Sequence, residues 1–162
     1  MAKNYVYQAA GFYLLSQLES SGLRWYPVTA ATKIEKGLAV FDDTNGYAYD
    51  TGTELTAVTF LGIAAAEADN SSGAAGAIDV AVIPLLPQYQ FIVPVDGNAV
   101  ITQTIVGTAI DIGATNGYVA VNESVTEGMA FIVDDIDASA AAVAINTYGY
   151  AIGHFVQIGT QA

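Results

Sequence analysis

The chain contains no cysteine, which excludes disulfide staples, thiolate metal sites and a cysteine nucleophile. Positive charge is almost as scarce. Lys3, Arg24, Lys33 and Lys36 stand against sixteen acidic residues, for a formal net charge of −12. All four lie in the first 36 positions, so beyond them only His154 offers a cation. Nucleic-acid binding replaces phosphate counterions with Lys or Arg, and this chain cannot supply them. An anionic membrane surface is disfavoured for the same reason. The apolar stretch that ends at Leu18 is interrupted by Gln8, Ser16 and Gln17 and is too short to span a bilayer. No small-residue cleavage site follows promptly, so this segment is expected to be mature sequence rather than a secretion signal. Long charged surfaces are missing too: 12% of residues are charged, against about 25% in an average globular domain.

Apolar residues, by contrast, make up 53% of 162 residues. A chain of that length forms one domain and buries roughly 70% of the surface exposed when unfolded. With so few charges, the remaining surface is covered by Thr, Ser, Asn, Gln, Gly, Ala and Tyr, which suits extensive contact with other proteins.

Two zones differ in character. Residues 1–27 hold Tyr5, Tyr7, Phe12, Tyr13, Trp25 and Tyr26. Apolar positions there approximate helical spacing over 6–18, although Gly11 disfavours a helix by about 1 kcal/mol, so a short helix or an extended arm is expected. Ser20-Ser21-Gly22 reads as a hinge. From residue 28 to 162 the pattern is β. Ile78, Val80 and Val82 alternate with Asp79 and Ala81, Tyr89, Phe91 and Val93 with Gln88 and Gln90, and Val119–Val121 and Val143–Ile145 alternate likewise. Asn45-Gly46 and Asn116-Gly117 supply the positive φ angles of two-residue hairpin turns. Pro84, Pro87 and Pro94 are expected at strand ends or edges, because proline donates nothing to a ladder. The expected fold is all-β, a small β-barrel or β-sandwich of about ten short strands carrying an N-terminal arm or short helix. The stretch 69–76 reads as a mobile surface loop. A turn glycine leading into a strand and paired aspartates occurs twice, at 34–43 and 125–135.

Candidate chemistry is thin. His154 sits in a strand-like segment with no nucleophile or orienting partner identifiable, so an ordinary strand histidine is expected. No Gly-x-Ser-x-Gly elbow, phosphate-binding loop or His-x-x-x-His pair occurs. Asp134-Asp135-Ile136-Asp137 and Asp42-Asp43-Thr44-Asn45-Gly46 gather oxygen ligands but lack calcium-loop spacing, and read as solvated acidic turns. Catalytic residues, metal ligands and cofactors are therefore expected to be absent. The triplets at Asn70 and Asn122 match the glycosylation pattern, a frequent chance match that carries little weight without a secretion signal. Function is expected in the aromatic segment, since Tyr and Trp dominate interface hot spots; packing on the chain's own body is the alternative.

Several short segments, taken in order, resemble the head decoration (capsid cement) proteins of tailed bacteriophages. Lys36-Gly37-Leu38-Ala39-Val40 looks like that family's opening strand, and Phe60-Leu61-Gly62-Ile63-Ala64 is similar to its small apolar strand. Gly73–Gly76 with Ile78–Val82 looks like its loop and next strand, Ile101–Thr108 resembles a later segment, and Gly153–Ile158 its closing strand. The first 27 residues match nothing in that pattern. The resemblance implies a non-enzymatic, often trimeric β-protein on the outer capsid surface of the virion, assembled in the host cytoplasm. Its partners would be the major capsid protein and further copies of itself, gripped through Tyr5, Tyr7, Phe12, Tyr13, Trp25 and Tyr26. A carbohydrate-binding or adhesive β-module, such as a fibre or receptor-binding domain, is the alternative. A carboxylate-pair hydrolase ranks below both.

Overall fold

A computed structural model describes residues 11–16, 22–43, 45–50, 59–96, 102–110, 119–120, 128–137 and 149–158. They form an all-β molecule of two main sheets and a small third one. The only helical element among them is one 3-10 turn at Gln103–Ile105.

The strands are β1 (Tyr13–Leu14), β2 (Arg24–Pro27), β3 (Thr32–Ile34), β4 (Ala39–Asp42), β5 (Ala48–Tyr49), β6 (Thr59–Ala64) and β7 (Ala68–Asn70), then β8 (Asp79–Ile83), β9 (Phe91–Asp96), β10 (Ala109–Ile110), β11 (Val119–Ala120), β12 (Gly128–Asp137) and β13 (Tyr150–Ile158). One sheet runs β1-β9-β13-β12-β10, with β11 parallel to β9; the other runs β2-β8-β6-β4-β5; β3 pairs with β7.

Period-two alternation explains how the sheets stack. Phe91, Val93 and Val95 of β9, Phe131 and Val133 of β12 and Phe155 of β13 point to one side. They meet Phe41 of β4, Phe60 and Ile63 of β6 and Ile83 of β8 in the main core. All six phenylalanines of the chain are there. Phe155 is their hub, with ring centroids 5.2 Å from Phe131, 5.3 Å from Phe12, 5.4 Å from Phe60 and 5.6 Å from Phe91. The intervening residues of the second sheet, Val40, Ala64, Val80 and Val82, face away into a second core. That core also takes in Val28 and Ala48, with Ile34 of β3 and Ala68 of β7 packed over it. The second sheet curls far enough for Val28, just past β2, to bridge Ala48 of β5. Sandwich stacking between sheets thus coexists with barrel-like curling of one of them.

The structure bears on three expectations. The N-terminal zone does not stop short of the body at residue 27. Tyr13 and Leu14 pair with Ile92 and Phe91, and Arg24–Pro27 pair with Val82–Asp79. Residues 11–16 are not helical, and Gly11 lies so close to the Gly37 carbonyl that a side chain would collide with it. Pro94, expected at an edge or strand end, lies inside β9 between two neighbours. Val95 donates its N–H to Gly149 at 3.0 Å, and ladder alternation then turns position 94 away from β13, toward the side where β1 pairs at 91–92 and β11 at 95–96. The missing N–H falls between those two short partners, so no ladder bond is lost.

The loop at 69–76 is not free either. Asn70 is 2% exposed, and its Nδ2 lies 2.9 Å from the Thr29 and Ala74 carbonyls and 3.3 Å from that of Val28. Asp69 accepts from the N–H and hydroxyl of Ser71. The hairpin at Asn45-Gly46 does form, with β4 and β5 as its arms, but it is longer than a two-residue turn and closes at Asp43 N–H to Tyr47 O, 2.9 Å.

Candidate protein-interface site

The one tryptophan, Trp25, is 64% exposed, and no other large hydrophobic side chain among the described residues is exposed. It stands on β2, the terminal strand of its sheet, opposite Ala81 of β8. Tyr26, the next residue, turns to the other face and packs against the second core. Arg24 is exposed and makes no ion pair among the described residues. The strand thus sets an anchored tyrosine between an open indole and a rigid backbone paired to β8. Polar tips with apolar bodies, fixed at low entropy cost, are what interface anchors consist of.

The other aromatic candidates divide. Tyr13 is half-buried against Ile92, Tyr150 and Ile152 on the outer face of the first sheet. Phe12 is 3% exposed and packs against Phe91, Phe131 and Phe155, so its ring serves the chain's own core and offers nothing to a partner. Tyr5 and Tyr7 lie outside the described residues.

A polar cluster absent from the sequence reading lies on the outer face of the first sheet. Between β12 and β13 the register steps from Val133–Gly153 to Asp135–Ile152, which leaves Asp134 as the extra residue of a bulge. Its Oδ2 sits 2.9 Å from His154 Nδ1 and 3.2 Å from Gln90 Nε2. His154 therefore does have an orienting partner, twenty residues away in sequence and brought close only by strand pairing. The acidic run at 134–137 belongs to a strand rather than a solvated turn, and Asp137 is 4% exposed. Ser16, the nearby hydroxyl, is already committed: it accepts the Gln90 N–H at 2.8 Å and donates to the Gln88 carbonyl. A carboxylate-oriented imidazole needs a nucleophile on its other nitrogen to work as a base, and none is bonded there among the described residues. With side-chain exposures of 27% and 33%, the pair holds the bulge and adds little stability.

The second acidic candidate is consumed by its turn. Asp43 Oδ1 accepts the N–H of Asn45 at 2.8 Å and of Tyr47 at 3.1 Å, and Asp42 Oδ1 accepts that of Gly46 at 3.1 Å. Gly46 supplies the positive φ, +89°, that the turn requires. Desolvation pushes the Asp43 carboxyl up, but the Asn45 and Tyr47 amides, Thr29 and the Asn45 side chain outweigh it, so its pKa lies below the ordinary 3.8. No group of three or more His, Asp or Glu side chains suited to a metal occurs among the described residues. At the Asn70 triplet, the nitrogen a glycan would occupy is buried and hydrogen-bonded; the Asn122 triplet lies outside the described residues. Comparison with protein-family models, with curated proteins and with solved structures finds no match for this chain.

Proposed function

We propose that the chain is a non-enzymatic decoration protein that binds the outer surface of a phage head and strengthens contacts between major capsid proteins. One observation carries the reading: a closely packed β-body holds one large apolar side chain among the described residues, Trp25, out into solvent on a backed strand. An exposed indole on a rigid mount loses little freedom on binding, so most of its burial appears as affinity. The low content of charged side chains and the excess of acidic ones fit a protein that shares its surface with neutral or basic neighbours. In the trimer implied by the resemblance, several such anchors would act together, and avidity would exceed the affinity of one.

An exposed tryptophan also serves carbohydrate recognition by stacking on sugars. Sugar hydroxyls call for carboxylate or amide groups beside the ring; Gly22–Val28 contains none, but the exposed Asp79 of β8 pairs with Pro27 on the face that Trp25 occupies. The particle test separates this alternative from the protein partner. Mass spectrometry of purified virus particles tests the reading: the chain is expected at a fixed copy number per major capsid subunit. Its absence from particles, together with glycan-array binding by the isolated protein, would sink it.

A further inference from the structure

The edge at β2 carries more information than one exposed ring. Arg24 has no ion-pair partner among the described residues, and Gly22–Val28 is a stretch without carboxylates. Successive strand residues point to opposite faces, so Arg24 and Trp25 straddle the edge rather than sharing a side. Backbone geometry then limits how a partner can use that edge. Val28 donates its N–H to Ile78 at 2.9 Å in the register that pairs Tyr26 with Val80 and Arg24 with Val82. Ladder alternation therefore points Tyr26 and Arg24 inward to β8 and leaves Trp25 N–H and C=O facing out. Pro27, the next outward position, has no N–H. An added strand would find a single donor along β2, too little for strand addition to carry binding.

We propose that β2 is gripped by side chains from both faces. The Trp25 indole enters an apolar recess of a partner protein while the Arg24 guanidinium pairs with a partner carboxylate across the edge. The site fits an acidic-rimmed cleft. With a net charge of −12 the chain as a whole repels such a rim, so the same pair also selects orientation. This inference rests on the decoration reading and names the partner surface it requires.

The probe is phage heads assembled without this chain, to which purified wild-type and variant proteins are added and the bound fraction measured by sedimentation. Trp25→Ala is expected to weaken binding roughly 30-fold or more, the scale of an interface hot spot. Arg24→Glu should weaken it at least as much, and added salt should weaken the wild type but not Arg24→Glu. Lys36→Glu, an exposed cation on a different segment, should bind like the wild type. Binding of Trp25→Ala within about twofold of wild type, or equal losses in Lys36→Glu and Arg24→Glu, overturns the two-faced grip while leaving decoration intact. A wild type that fails to bind the heads at all brings down the decoration reading and this inference with it.

Discussion

The side-chain nitrogen of Asn70 serves three carbonyls in a place sealed from water. Asn70→Ala would strand those oxygens and is expected to cost about 1–3 kcal/mol, seen as a lower urea midpoint with an unchanged slope. Asp43 makes the complementary argument for pH. Its folded pKa lies below the unfolded 3.8, so its contribution is fully present above that value and is lost as pH falls through the folded one. Acid titration of stability should therefore show a loss below pH 3.8 that Asp43→Asn reduces. Asp50 has the opposite sign: desolvation, with help from Glu35, raises its pKa, so it opposes folding once it ionises. Asp50→Asn should raise the thermal midpoint at neutral pH and change it little in acid. None of these three roles can be read from residue type, because each depends on which backbone groups the fold delivers to one side chain. The Asp134–His154 contact was hidden for the same reason.

Elements with regular alternation announce themselves. The period-two runs at 78–82 and 88–93 become β8 and β9, and Val80 and Val82, like Phe91 and Val93, fall on the faces that alternation assigns. Short or irregular elements do not. β1 is two residues long and owes its existence to β9, and β12 continues past a bulge that breaks its period. The aromatic composition of 11–27 signalled importance without separating core from surface, since Phe12 and Trp25 look alike in sequence and have opposite fates. The consequence is testable by truncation. Deleting residues 1–24 removes β1 and the Phe12 ring from the phenylalanine cluster and is expected to destabilise the body. Phe12→Ala alone should cost about 3–5 kcal/mol in denaturant unfolding. Gly153→Ala should also destabilise, because a Cβ there would overlap the Ile132 carbonyl oxygen and the Phe131 ring.

At the scale of the whole molecule, two cores lie on either side of one sheet, and the Val28–Ala48 bridge ties that sheet's first and last strands together. Such closure shortens the exposed edges that would otherwise invite edge-to-edge pairing between copies. It also leaves Trp25 outside both cores. Because the chain has one indole and water already surrounds most of it, its emission should barely change when the body unfolds, and should shift to the blue when a partner covers it. The protein thus carries a native optical reporter that is nearly silent to folding and responsive to docking.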